Sequence, residues 1–168
     1  MTTRAIRWIL PLLLVLVAGV GVAMAATASM SSKNGTVKTA HSSKYGTILV
    51  ASNGMTLYRY TPDKKNVSTC SGACAGYWPP LVLKAGAKPT AGSGATASLL
   101  GTTKRSNGAM QVTYAGWPLY YYAGDKKAGQ TNGQGFEKTW YVVATTGALV
   151  KGAVSSSGGT TTKKSAWG

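Results

Sequence analysis

The sequence repeats itself at a spacing of 62 residues, and this duplication constrains the fold more than any other feature. Residues 46–78 align with residues 108–140 without a gap, and glycine, leucine, tyrosine, aspartate, lysine and tryptophan recur in register. The matched stretches include LYRYTPDKK, which begins at Leu57, and LYYYAGDKK, which begins at Leu119. Self-similarity at a fixed period is typical of repeated supersecondary units that pack on one another. We therefore predict two related units.

Each unit has the pattern of β-structure. In the first, GTILVASNGMTLYRY contains two short runs of β-forming residues on either side of Ser52-Asn53-Gly54, and Asn-Gly favours a tight hairpin. In the second, MQVTYAGWPLYYY repeats this form around Ala115-Gly116, and Asn107-Gly108 precedes it. The sequence of the second unit therefore predicts a three-stranded meander. WYVVAT and ALV predict further short strands, and no amphipathic helix is evident in the mature chain.

These patterns predict an all-β fold, with two tandem repeats of short antiparallel hairpins or meanders packed as one small domain. Repeat 1 is assigned to residues 44–83 and repeat 2 to residues 99–150. Residues 84–98, KAGAKPTAGSGATAS, predict a flexible linker. We expect a flexible polar segment at residues 29–43. The Ser/Thr/Gly-rich end, residues 151–168, predicts a disordered basic tail.

Residues 1–28 have the pattern of a secretory signal peptide. Arg4 and Arg7 precede an apolar run over residues 8–26, and small residues at its end offer cleavage sites. The run also approaches the roughly 20 residues that span a bilayer, so a retained N-terminal anchor is the alternative. No cysteine lies near the end of the run, which argues against a lipobox. Either interpretation places the rest of the chain outside the cytoplasm, secreted or associated with the cell envelope.

The charge balance points to an anionic partner. The formal net charge is +15, and the chain holds only three acidic residues. Such a field attracts polyanions, and salt screens it. We expect an anionic cell-wall polymer or a membrane surface as partner, the alternative being that the charge only confers solubility. Sequence-specific nucleic-acid recognition is not expected, because no helix-turn-helix, RRM or zinc-finger pattern is present. The oligomeric state is not indicated.

The two cysteines, Cys70 and Cys74, are close in sequence. Outside the cytoplasm such a pair predicts one disulfide. Metal binding or redox use is the alternative, but a zinc site normally takes four ligands, and the single histidine, His41, is far away in sequence. No cofactor is predicted.

One motif recurs in both units as a tyrosine, a second tyrosine two residues later and an aspartate three residues after that. Its residues are Tyr58, Tyr60, Asp63, Tyr120, Tyr122 and Asp125. The two tyrosines of each copy share one strand face. The aspartate follows in a turn, where it can accept backbone N–H bonds or a tyrosine hydroxyl, or pair with a lysine. This interpretation makes the motif a structural corner.

The alternative is a ligand site. Phenol and carboxylate oxygens are hard ligands that suit ferric iron or calcium, and the two aspartates would then share one site. The identity of any metal is left open. The third acid, Glu137, is also in the second unit. A carboxylate pair for glycoside hydrolysis would have to come from these three acids, and no other catalytic motif is present.

Trp78 and Trp140 are expected to cap the core.

Together these motifs resemble a known bacterial family. The Tyr-x-aromatic-x-x-Asp motif occurs with NGMTLY, CSGACAGYWPPL, QVTYAGWPLYYYAGD and TNGQGFEKTWYVV, and over residues 44–145 the chain closely resembles the secreted repeat of unknown function. Members are often described as predicted lipoproteins, from which this chain departs by lacking the lipid-bearing cysteine. The resemblance implies an envelope or secreted protein with paired repeats, and no established reaction.

We therefore expect a non-enzymatic binding or structural module for an anionic envelope partner. The first alternative is a metal- or redox-associated protein that binds its ligand at the tyrosine–aspartate corners. The second is a hydrolase.

Overall fold

The computed structural model describes residues 35–154. The predicted signal peptide or anchor, the start of the flexible segment and most of the basic tail lie outside the described residues. Within residues 35–154 no helix is long and apolar enough to cross a membrane.

The described chain is built mainly of short strands. They are β1 (Thr36–Ser42), β2 (Gly46–Ala51), β3 (Tyr58–Tyr60), β4 (Thr90–Ala91), β5 (Leu100–Lys104), β6 (Met110–Tyr114), β7 (Trp117–Pro118) and β8 (Trp140–Val142). One helix, α1 (Ala73–Tyr77), and two 3-10 turns, Ala97–Leu99 and Phe136–Lys138, complete the elements. The all-β prediction is confirmed, because the helical elements have five residues or fewer.

The strands form three small sheets. One has the order β2-β1-β4, one pairs β3 with β8, and the third has the order β5-β6-β7. The third sheet is the predicted meander. Its second turn has positive φ at Ala115 (51°) and Gly116 (81°), as a primed hairpin turn requires, which explains the glycine at position 116.

The segment predicted to be flexible, residues 29–43, contains a strand. Within it, β1 pairs antiparallel with all of β2, and its first two residues pair in parallel with β4. Val37 is completely buried. The prediction was therefore wrong for residues 36–42. It failed because TVKTAHS has little alternation of apolar residues, so the sequence does not look like a strand. The segment is held in place by backbone hydrogen bonds to β2 and β4 rather than by buried side chains.

The linker prediction also needs correction. Residues 84–98 contain β4 and the start of a 3-10 turn. The N–H of Gly92 donates to the carbonyl of Val37 at 2.7 Å, and the N–H of Thr39 donates to the carbonyl of Ser93 at 2.9 Å. This part of the linker is held against β1, so it is part of the folded body.

The two repeats exchange segments. In repeat 1, Val82 pairs with Gln111 of β6, and in repeat 2, the equivalent Ala144 pairs with Ile48 of β2. The segment that closes each repeat is therefore paired with the other repeat through an isolated β-bridge. The two units form one interleaved body.

Two buried clusters lie inside this body. The first is mainly aliphatic: Val37, Leu49, Ala51, Met55, Leu57, Leu81, Val112, Tyr114, Leu119, Tyr121 and Val143. The second is rich in aromatic rings: Tyr45, Ile48, Val50, Tyr58, Cys70, Trp78, Tyr120, Trp140 and Val142. Both clusters draw on both repeats, so neither repeat has a core of its own.

Candidate functional site

The first tyrosine of each motif meets its counterpart in the other repeat. The N–H of Tyr58 donates to the carbonyl of Tyr120 at 2.8 Å, and the N–H of Tyr120 donates to the carbonyl of Tyr58 at 3.0 Å. Both tyrosines are completely buried. This reciprocal pair joins the two motifs at the centre of the molecule.

Each of these tyrosines binds the aspartate of the other repeat. The Tyr58 hydroxyl donates to Oδ2 of Asp125 at 2.6 Å, and the Tyr120 hydroxyl donates to Oδ2 of Asp63 at 2.6 Å. In both repeats the aspartate N–H donates to the carbonyl of the second motif tyrosine three residues earlier, which closes the turn. The motif therefore has two structural parts, a local turn and a crossed hydrogen bond.

The remaining oxygen of each carboxylate is also satisfied. Oδ1 of Asp63 accepts from the N–H of Thr69 at 2.7 Å and from its hydroxyl at 2.8 Å. Oδ1 of Asp125 accepts from the N–H of Asn132 at 2.9 Å. Asp63 and Asp125 are only 4% and 1% exposed. Each carboxylate thus holds the loop that follows it.

The burial of these groups sets their protonation. Burial raises the pKa of Tyr58 and of Tyr120, and in each case the hydrogen bond to the carboxylate raises it further. Burial also raises the pKa of Asp125, while hydrogen bonds from Tyr58 and Asn132 oppose this shift. Both phenols therefore stay protonated and act as donors over the ordinary pH range.

Sequence reasoning missed a buried arginine beside one corner. The guanidinium of Arg105 donates to Oγ of Ser68 at 2.7 Å, to Oε1 of Gln111 and to the carbonyl of Cys70. The Ser68 hydroxyl in turn bonds the Tyr120 hydroxyl at 2.7 Å. The sequence signal for this network was Gln111 between the apolar Met110 and Val112 in β6, because a buried polar side chain needs a hydrogen-bond partner.

A second arginine, Arg59 in β3, is also buried. Its guanidinium donates to the carbonyl of Gly147 and lies 3.8 Å from the centre of the Trp117 ring. Burial lowers the pKa of Arg59 to about 10, and the negative charge of Asp63 opposes this shift. Both arginines of residues 35–154 therefore serve internal contacts, and lysines carry the surface charge.

The second motif tyrosines belong to a stack of four aromatic rings. The order is Tyr60, Trp140, Trp78, Tyr122, with centroid separations of 4.3, 3.9 and 4.4 Å. The two tryptophan rings are parallel to within 1° and are 3% and 2% exposed. The stack takes rings alternately from the two repeats and closes the aromatic cluster on one side.

A surface groove of about 480 Å³ lies beside this stack. We call it the aromatic groove, and it is lined by Tyr60, Cys74, Tyr77, Trp78, Phe136, Glu137 and Trp140. Tyr77 and Phe136 are 69% and 41% exposed, whereas the tryptophans are buried. The sequence analysis singled out the tryptophans but not this groove, because Phe136 and Tyr77 come from short helical turns at non-equivalent repeat positions.

The predicted disulfide is confirmed. Cys70 and Cys74 are bonded to each other, with their Cα atoms 5.3 Å apart. Cys74 lies in α1, next to the aromatic groove, and Cys70 is almost completely buried. The bond therefore fixes the short helix that leads into Trp78.

The structure does not bring the two motif aspartates to a common ligand position. Asp63 bonds Tyr120 and Thr69, and Asp125 bonds Tyr58 and Asn132, in two separate networks. Within residues 35–154 no group of three or more histidine, cysteine or acidic side chains is arranged to hold a metal ion. His41 is exposed in β1. The geometry therefore favours the structural interpretation of the motif.

The fold and this site define a class of duplicated β-proteins whose repeats are locked by crossed tyrosine–aspartate bonds. The chain belongs to the family described as the secreted repeat of unknown function, whose family model matches residues 39–82 and 101–144. The two matches are 62 residues apart and coincide with the interleaved units. The family description places the protein outside the cytoplasm. A search of curated proteins and a search of solved structures gave no match.

Proposed function

We propose that this protein is a non-enzymatic module of the cell envelope or extracellular space that binds anionic polymers through its lysine surface. One observation carries the proposal, the division of charge between the interior and the surface. In the described part of the chain ten lysines are exposed: Lys44, Lys64, Lys65, Lys84, Lys88, Lys104, Lys126, Lys127, Lys138 and Lys151. Against them stands one exposed acid, Glu137, because Asp63 and Asp125 are buried.

The lysines have no role in the internal networks that use the two arginines. Lysine is a strongly hydrated point charge that contacts phosphate and carboxylate groups without the fixed fork of arginine. A surface of this kind suits a flexible, repetitive polyanion such as a teichoic acid or an acidic polysaccharide. It does not suit a partner that is recognised by one fixed geometry.

Two adjacent pairs concentrate this charge. Lys64-Lys65 and Lys126-Lys127 directly follow the motif aspartates in the two repeats, and all four side chains are exposed. The crossed bonds hold the loops that carry them. Asn66 donates through its N–H to the carbonyl of Gly116 at 2.7 Å, and Gly129 donates to the carbonyl of Gly54 at 3.2 Å. The tyrosine–aspartate corners therefore give each lysine pair a fixed position.

The test is binding to immobilised poly(glycerol phosphate) over a range of salt concentrations. We expect the logarithm of the binding constant to fall linearly with the logarithm of salt concentration, because bound lysines release counterions. Replacing Lys64, Lys65, Lys126 and Lys127 by glutamine should weaken binding and reduce this slope. A matched variant with Lys44, Lys84, Lys88 and Lys151 replaced by glutamine has the same net charge as the first variant. We expect its binding to the polymer to weaken less.

Three results would count against the proposal. Binding that ignores salt would exclude a polyelectrolyte partner. Equal binding to neutral and anionic polymer would show that the charge serves solubility only. Stronger retention on anionic lipid vesicles than on the polymer would favour the membrane surface and would overturn the polymer assignment.

A further inference from the structure

Among residues 35–154, the aromatic groove carries the only exposed carboxylate side chain. The protein has three acidic residues, and the burial of Asp63 and Asp125 leaves Glu137 as the one acid at the surface. On a protein with a net charge of +15, this carboxylate lies in a groove whose other lining residues are aromatic rings and a disulfide sulfur. The local charge of the groove is thus opposite to that of the rest of the surface.

Aromatic rings and a carboxylate favour the same kind of ligand. The face of an aromatic ring is electron-rich and attracts a cation within about 6 Å of its centre. Tyr77 and Phe136 are exposed at the groove, and the buried Trp78 and Trp140 also line it. Alkylated ammonium groups are weakly hydrated, so they lose little on entering such a groove. An anion would meet Glu137 and the electron-rich faces of the rings.

The backbone holds Glu137 in an unusual conformation. Its φ is 49° and that of Lys138 is 57°, both in the left-handed region that non-glycine residues seldom adopt. Gly135 precedes them with φ 74°, and its N–H donates to the carbonyl of Trp140 at 2.8 Å. The turn that presents Glu137 is therefore tied to the tryptophan stack, and the carboxylate is presented from a defined position.

From this charge complementarity we propose that the aromatic groove binds a small organic cation bearing a methylated ammonium group. The ammonium would lie against the rings of the groove and pair with the Glu137 carboxylate. A volume of about 480 Å³ is within the range for small-molecule sites, roughly 300–1,000 Å³. This site is separate in chemistry from the lysine surface.

The test compares choline with its uncharged isostere, 3,3-dimethyl-1-butanol. Both are titrated into the purified protein by calorimetry, with tryptophan fluorescence as a second readout at the Trp78–Trp140 stack. We expect choline to bind about tenfold more tightly than the isostere, since cation–π contacts and one ion pair distinguish the two. Glu137→Gln should remove most of this difference.

Matched variants separate the site from its surroundings. Phe136→Leu keeps an apolar side chain but removes the ring, and it should weaken choline binding severalfold. Lys138→Gln changes the charge next to Glu137 and should leave binding unchanged or slightly tighter. All three residues are exposed, and near-UV circular dichroism checks that each variant retains the fold.

Equal affinity for choline and the isostere would overturn the proposal, as would a Glu137→Gln variant that binds choline like the wild type. Failure to bind choline at all would also overturn it. None of these results affects the polyanion proposal, which depends on the lysine variants and on loss of binding with salt.

Discussion

At the scale of single residues, the two aspartates are explained by their partners. The sequence predicted a turn aspartate and named a tyrosine hydroxyl among its possible donors. It did not show which tyrosine, because the bonded pairs are 67 and 57 residues apart and each crosses to the other repeat. That choice is made by packing between the repeats, which no local pattern encodes. The buried Arg105 was missed for the same reason.

The crossed bonds predict a specific pattern of coupling. Tyr58→Phe removes the hydroxyl that satisfies Asp125, and we expect it to lower the free energy of unfolding by about 1–3 kcal/mol. A double-mutant cycle with Asp125→Asn should show strong coupling, whereas a cycle with Asp63→Asn should be close to additive. Urea denaturation measures each value.

The control for this cycle is Tyr60→Phe, since Tyr60 is partly exposed and contributes its ring to the stack. It should change stability much less than Tyr58→Phe. Coupling of Tyr58 to Asp63 instead of Asp125 would contradict the crossed arrangement.

The buried phenols also predict a loss of stability in alkali. The pKa of Tyr58 and of Tyr120 is raised above the ordinary value of 10.0, so the unfolded chain loses these protons before the folded one. The stability that the two protonated phenols contribute is complete below about pH 10, and it is lost as the pH rises through their pKa in the folded protein. Melting temperature measured from pH 8 upward should fall above pH 10.

Replacing both tyrosines by phenylalanine should flatten this dependence. The comparison with the variant is needed because the pKa of Arg59 is lowered to about 10. The folded protein therefore loses this proton before the unfolded chain does, which raises the free energy of unfolding over the same pH range in which the tyrosines lower it. An identical alkaline slope in the double variant would show that other groups control it.

At the scale of elements, the hairpin turns were predictable and the first strand was not. Each Asn-Gly or Ala-Gly turn depends on a glycine with positive φ, at Gly54, Gly108 and Gly116, and this requirement is a local property of the sequence. β1 has one completely buried side chain, Val37, so its sequence lacks the alternation that marks a strand. Backbone pairing with β2 and β4, on its two sides, holds this segment in the strand conformation. The short helix α1 was also missed, since five residues carry no periodicity.

The disulfide is expected to act on this helix. In the chain-entropy model a loop of this length contributes about 2 kcal/mol. Cys70→Ser with Cys74→Ser should therefore lower stability by about this amount and loosen the segment that carries Tyr77. Hydrogen exchange of residues 70–78 measures the local effect, and Ser71→Ala is the matched control in the same loop. Unchanged exchange in the double variant would contradict this role.

At the scale of the whole molecule, the repeats depend on each other. Both core clusters, the ring stack and the bridges at Val82 and Ala144 combine residues from both repeats. The sequence predicted two units packed as one domain, and the family matches support this. It did not predict the exchange of segments, because alignment shows which residues are equivalent and not which copy each one contacts.

The exchange predicts that the halves fold only together. Residues 35–98 and residues 99–154, produced separately at low concentration, should lack cooperative thermal unfolding. Mixing them should restore near-UV circular dichroism from the tryptophan stack, because the second repeat supplies Trp140 to Trp78. Two halves that each melt cooperatively as monomers would contradict the interleaved core.

The reciprocal bonds have a consequence for symmetry. In a symmetric homodimer, a residue of one subunit meets its partner on the other, and the same contact is formed twice. Tyr58 with Asp125 and Tyr120 with Asp63 have this arrangement within a single chain. The two repeats therefore have, within one chain, the arrangement that the two subunits of a symmetric dimer have, and the sequence identity of the motifs on the two sides is what this arrangement requires.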